Sequence, residues 1–186
     1  MSRLVSADSV LLIVDVQDKL LAAMRDSGAL IRDIAFLAST AKLLNVPVIA
    51  TEQYPKGLGP TSADLLPLLG HPPVSKLAFS CLGAEPFREL LAPMGRRQIV
   101  VTGIEGHVCV MQTVLDLLEA GNEVFLPVDA IQSRRDSDKQ VALSRCERAG
   151  AILTTVEATA FEWLRGADHP VFKAVSQLVK DRPISG

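Results

Sequence analysis

The sequence predicts an α/β fold: a three-layer α/β/α sandwich built on a six-stranded, mostly parallel, Rossmann-like sheet. Two observations carry this. Short unbroken runs of valine, isoleucine and leucine alternate with helix-length stretches whose apolar residues return at helical spacing. Such runs suit parallel strands covered on both faces, and strand-helix-strand alternation implies right-handed crossovers.

The first strand is Val10 to Asp15, VLLIVD. Behind it Leu20, Leu21 and Met24, then Ile31, Ile34, Phe36, Leu37, Leu43 and Leu44, follow helical spacing, with Ser27-Gly28 as the break between two helices. Val46 to Thr51 is the second strand, with a proline near its start where one is tolerated. Glu52 to Ser62, EQYPKGLGPTS, has two prolines and two glycines and reads as an irregular binding loop, followed by a short helix around Ala63 to Leu69. Pro73 to Lys76 is a brief third strand, Glu85 to Leu91 a helix, and Gln98 to Thr102 a fourth strand running into the turn Gly103-Ile104-Glu105-Gly106. A helix from about His107 to Ala120 stops at Gly121, since glycine takes the left-handed C′ conformation without steric cost. Glu123 to Pro127 is the fifth strand, Asp136 to Ala149 a helix, Ala151 to Thr155 the sixth strand and Val156 to Arg165 a last helix, with a polar tail behind it.

Length and composition point to one domain over residues 1–186, because 186 residues that are 48% hydrophobic can bury a single sizeable core. A formal charge of -2 without a Lys/Arg-rich run argues against a nucleic-acid partner. No apolar stretch approaches the ~20 residues of a spanning helix, so no membrane partner is expected. Cys81, Cys109 and Cys146 are odd in number, lack metal-ligand spacing and follow no signal-like start, which predicts free thiols and a cytoplasmic location. Nucleotide sites have no support: neither GxGxxG after the first strand nor GxxxxGK[ST] occurs, and a GxSxG elbow is absent too.

Ligands of open α/β sheets bind beyond the carboxyl ends of the strands. Asp15 closes the first strand, Lys76 the third, and Cys109 lies just past the fourth. Gathered at one sheet edge, a carboxylate, an ammonium and a thiol make a nucleophile, a base and a charge that tunes them. The start of a helix favours an anion and should lower the Cys109 thiol pKa, while its amide and one from the preceding turn can receive an oxyanion. Each residue also has an ordinary reading. A cysteine among Val108, Val110 and Met111 can be a small core residue, an aspartate after a strand a helix cap, and a lysine there a solvated charge. Glu52 and Tyr54 are placed to line the pocket. His107 is a helix-start or pocket residue, since neighbours two apart on a helix do not face each other and it cannot serve Cys109 as base.

LLIVDVQDKL, VSKLAFS and VVTGIEGHVCV, in this order and spacing, resemble the three signature blocks of isochorismatase-like cysteine hydrolases. The resemblance runs from Val10 to about Ala160, and TEQYPKGLGPT is similar to the isochorismatase-domain-containing branch near the YcaC-type hydrolases. It implies Cys109 as nucleophile, Asp15 as base and Lys76 as the orienting cation, with a cis peptide between Ile104 and Glu105 and an oxyanion hole formed by the amides of Glu105 and Cys109. By the same resemblance Gln17, Glu52, Tyr54, Phe79 and His107 contact a small-molecule substrate, and the protein is a homo-oligomer. Nicotinamidases of this superfamily carry an aspartate and two histidines as metal ligands after the second strand, where this chain has Glu52, Gln53 and Tyr54, so neither a metal nor another cofactor is expected. True isochorismatases lack the cysteine, whose presence favours acyl transfer on an amide-like C–N bond. The rival expectations are an oligomeric binding or scaffold protein with a weak or vestigial site, and a nuclease, against which the charge balance argues.

Overall fold

The computed structural model describes residues 3–182. Six strands, β1 (Ser9–Val14), β2 (Val48–Gln53), β3 (Val74–Lys76), β4 (Gln98–Gly103), β5 (Glu123–Pro127) and β6 (Ile152–Thr154), form one sheet in the order β3-β2-β1-β4-β5-β6. Every neighbouring pair is parallel, so the sheet is wholly parallel among the described residues. Winding runs outward from β1 to β3 and then restarts beside β1 with β4, which puts the reversal of strand order between β1 and β4.

Eight α-helices accompany the strands among the described residues: α1 (Asp18–Leu21), α2 (Ser27–Leu43), α3 (Pro55–Leu58), α4 (Glu85–Leu91), α5 (Met111–Glu119), α6 (Asp136–Arg148), α7 (Val156–Leu164) and α8 (Phe172–Asp181). Alternation within β1 divides the core. Leu11 and Ile13 pack with Ile34 and Leu37 of α2, Trp163 of α7 and Val175 of α8. Val10, Leu12 and Val14 face the other layer with Phe87 of α4, Val114 and Leu117 of α5 and Cys146 of α6. Completely buried leucine- or valine-sized side chains each contribute about 1.5–3 kcal/mol, and every β1 residue is buried.

Three elements differ from expectation. The break after β1 falls before Ser27, where Asp26 takes a left-handed conformation (φ 50°) and α2 starts at once. The short helix expected near residues 63–69 reduces to a 3-10 turn, Leu66–Leu68, and an unexpected helical turn, α3, stands inside the preceding loop. The polar tail is in fact α8: Val175 is buried, and Phe172, Leu178 and Val179 pack on the core at helical spacing among lysine, serine and glutamine. Arg182 then ties its end down, donating to Asp33 at 2.7 Å and Asp129 at 3.3 Å and lying 5.5 Å from the Phe36 ring centroid. No described helix is long and apolar enough to cross a membrane.

Gly103, at the end of β4, has φ +112°, and a Cβ there would collide with the Val14 backbone. Gly103→Ala should therefore cost about 3 kcal/mol or more, combining a backbone conformation alanine resists with a clash against a rigid strand. Urea unfolding checks this; a loss under about 1 kcal/mol would show that the β1–β4 junction can yield.

Candidate active site

The carboxyl ends of β1 and β4 meet at the reversal of strand order, the place where an open sheet leaves a crevice. Asp15 follows β1 with φ 52°, a conformation that aspartate tolerates better than most residues. Its amide donates to the Thr51 carbonyl at 3.2 Å, so the turn is held by β2. The buried carboxylate accepts from Thr51 Oγ1 at 2.8 Å through Oδ1 and from Lys76 Nζ at 2.6 Å through Oδ2. Lys76 reaches this point from β3, past β2. Both charged side chains are 0% exposed. Such a pair is expensive to desolvate and persists where further hydrogen bonds satisfy it. The ammonium also donates to Gln53 Oε1 at 2.8 Å, to the Phe79 carbonyl at 3.0 Å and to that of Ala78 at 3.4 Å.

Cys109 sits in a π-helical turn, Gly106–Val110, that precedes α5. Its Sγ lies 4.0 Å from Gln53 Oε1, and both Asp15 and Lys76 act on the thiol electrostatically. Burial, and after it the negative charge of Asp15, pushes the Cys109 thiol well above its ordinary pKa, while Lys76 pulls the other way. This corrects the expectation of a thiol acidified by a helix start: desolvation and the neighbouring Asp15 outweigh the pull of Lys76. Cys81 and Cys146 are also buried, and burial raises both to about 11.

The turn before Cys109 is anchored at several atoms. The Ile104–Glu105 peptide is cis, Ile104 donates its amide to the Val14 carbonyl at 2.9 Å, and Gly106 donates to that of Gln132 at 2.8 Å. The Glu105 carbonyl accepts from Val108 and Val110 at 3.0 and 3.2 Å, and its carboxylate from Arg134 at 2.8 Å. Behind the turn, Thr113 Oγ1 donates to the Cys109 carbonyl at 2.7 Å and accepts from the Cys81 amide at 3.0 Å, so α5 and the segment before α4 brace the Cys109 backbone.

The residues expected to line the substrate site divide. Tyr54 and Phe79 are about half exposed, and Tyr54 borders a cavity of about 370 Å³ with Pro55, Lys56, Ser75, Lys76 and Leu77; Cys109 is not in its wall. His107 sits beside the turn, its Nδ1 3.1 Å from Ser133 Oγ and its Nε2 3.9 Å from Asp138. Gln17 is different: it is completely buried and clamps the Gln53 peptide, accepting from its amide at 2.8 Å and donating to its carbonyl at 3.1 Å. It also donates to the Gly59 carbonyl at 2.6 Å and so holds the loop after β2 rather than facing a ligand. Glu52 Oε1 is likewise occupied, accepting from the Thr61 amide and hydroxyl at 2.6 and 2.8 Å. Strand alternation explains the split, because Thr51 and Gln53 point to the Asp15–Lys76 side of β2 and Glu52 to the other. Thr51 and Gln53 are the participants missed as site residues; the period of two in TEQ, read from a strand extended to Gln53, was the available signal. Among the described residues no three His, Cys, Asp or Glu side chains gather as a metal-binding group.

Comparison with known proteins shows the family and the fold. Isochorismatase domain-containing protein 2 of Bos taurus is 39% identical, the alignment covering 100% of this chain and 90% of the bovine protein. The structure of MAR1 ribonuclease from Caenorhabditis elegans superposes with a TM-score of 0.92 at 39% identity, over 100% of this chain and 96% of that one. The YcaC gene product of Escherichia coli, described as an octameric hydrolase of unknown specificity, gives a TM-score of 0.92 at 26% identity over 98% and 91% of the two chains. With the isochorismatase domain matching residues 9–158, the chain belongs to the isochorismatase domain family and has its hydrolase fold.

Proposed function

We propose that this protein hydrolyses an amide-like C–N bond of a small molecule through a thioester on Cys109. The observation that carries the reading is the fully buried Lys76–Asp15 pair at 2.6 Å, set against the thiol of the turn after β4. Cys109 Sγ attacks the substrate carbonyl carbon as its proton passes to Asp15. The resulting oxyanion is received by the amides of Glu105 and Cys109, and on collapse the leaving nitrogen takes the proton from Asp15. Water then attacks the thioester carbonyl, gives its proton to Asp15, and the released sulfur recovers that proton. The balance is amide plus water to acid plus amine, with the enzyme unchanged. Tyr54, Phe79 and His107 are the side chains placed to meet the substrate.

Incubation with a library of small amides, quenched in acid, should leave acyl adducts that intact-mass and peptide analysis place on Cys109. Turnover with no adduct at any quench time, or adducts on Cys81 or Cys146, counts against the thioester.

A self-associating form belongs to the same reading, supported by the octameric YcaC relative and by the exposed Tyr54, Leu77 and Phe79 around the loop. The Caenorhabditis elegans relative favours a second reading, RNA cleavage. Against it stands the formal charge of -2, which gives little electrostatic hold on a phosphate backbone. Cleavage of RNA that disappears in Cys109→Ala at unchanged fold would move the assignment to that reading.

A further inference from the structure

We infer that Gln53 is a positioning residue of the proposed reaction, its side-chain carbonyl holding the Lys76 ammonium against Asp15 while facing the Cys109 thiol. The inference rests on the hydrolase reading above and assigns a role to a residue outside the Asp15, Lys76 and Cys109 set. A lysine ammonium has three protons to donate. Here Asp15, Gln53 and the carbonyls of Phe79 and Ala78 take them, so Lys76 has no proton to offer a substrate unless one of these contacts breaks. Lys76 is thus a charge held in place, and Gln53 is the one neutral side chain holding it.

The carboxamide can point only one way. Gln53 Nε2 donates to the Leu77 carbonyl at 2.8 Å, so Oε1 turns toward Lys76 Nζ at 2.8 Å and Cys109 Sγ at 4.0 Å, the outer reach of a sulfur hydrogen bond. Reversing the amide would set its NH2 against an ammonium and its oxygen against a carbonyl. The backbone is pinned as well, because Gln17 binds both sides of the Gln53 peptide and Gln53 pairs with Lys76 in the β2–β3 ladder. Gln17 is therefore a support for Gln53, which accounts for a completely buried carboxamide so near the site. Glutamine supplies an acceptor without a second negative charge; a carboxylate there would face Asp15 and Cys109 and disfavour the thiolate that attack requires.

The test is the rate of Cys109 alkylation by iodoacetamide between pH 6 and 9 in wild type, Gln53→Glu, Gln53→Met and Asp15→Asn, read by peptide mass spectrometry. Below the thiol pKa this rate follows the thiolate fraction, so one unit of displacement is about tenfold in rate. Gln53→Glu should slow labelling at least about tenfold at every pH, since it adds a like charge beside the thiolate. Gln53→Met should slow it several-fold, since the ammonium is no longer held by the carboxamide and loses part of its pull on the thiolate. A structural role alone lowers the melting temperature and leaves these lines in place. Rates matching wild type in both Gln53 variants, with Asp15→Asn displaced, overturn the inference and spare the hydrolase reading; an Asp15→Asn line that also fails to move overturns the hydrolase reading itself. Cys81 and Cys146, buried in the native protein, report the fold of each variant. If Gln53→Met labels them, Gln53→Asn takes its place: its carboxamide stops one carbon short of Lys76 and should also slow Cys109 labelling, and an unchanged rate there overturns the inference.

Discussion

Asp15→Asn is expected to lose turnover and at the same time to make Cys109 more reactive toward alkylation. The two effects have opposite signs because Asp15 does two things. In the proposed reaction it is the base that takes the thiol proton and later returns it to the leaving nitrogen, and removal of a general acid–base group costs roughly 10²–10⁴-fold. As a negative charge it is, after burial, the largest cause of the raised Cys109 pKa, so its removal favours the thiolate. Asparagine keeps the shape and can still accept from Thr51 Oγ1, while Lys76, freed from its carboxylate, acts on the sulfur alone. Alkylation at pH 7 should rise at least about tenfold as turnover falls. Loss of both together would mean that Asp15 only holds the fold; retention of turnover would remove it from the mechanism.

The fold was legible in the sequence because compact apolar runs such as VLLIVD and QIVVT alternate with helix-length stretches, and a parallel sheet needs little more to define its layers. The helix α8 was not, since only Phe172, Val175, Leu178 and Val179 mark its buried stripe and the charged residues between them resemble a solvated tail. At the site, Asp15 and Lys76 could be placed at strand ends, yet nothing in one dimension shows that they form a 2.6 Å pair two strands apart. Gln17 and Gln53 are harder still. Their side chains bond to backbone groups far along the chain, such as the carbonyls of Gly59 and Leu77, and such contacts have no periodicity to read. The sign of the Cys109 shift was missed for a related reason: the position of a cysteine near a helix start is visible in sequence, whereas its depth of burial and its distance from a carboxylate are not.

Lys76→Met is expected to be costly in stability as well as in activity. Methionine fills similar volume but leaves the Asp15 carboxylate in a 0% exposed position with no cation beside it and only the neutral Thr51 hydroxyl and Cys109 thiol as donors, and removing one partner of a buried pair typically costs about 3–5 kcal/mol. The double variant Asp15→Asn/Lys76→Met should recover part of that loss, since an uncharged amide beside a thioether leaves no buried charge unpaired. Urea unfolding of the two single variants, the double variant and wild type gives the coupling energy. Alkylation adds a second sign to the same experiment: Lys76 lowers the Cys109 pKa, so its loss should slow labelling where the loss of Asp15 speeds it. A Lys76→Met protein as stable as the double variant would mean that Asp15 keeps its charge without help. Labelling unaffected by the same substitution would mean that the ammonium holds the fold together without tuning the thiol, and Cys109 would then have to be activated by the substrate it binds.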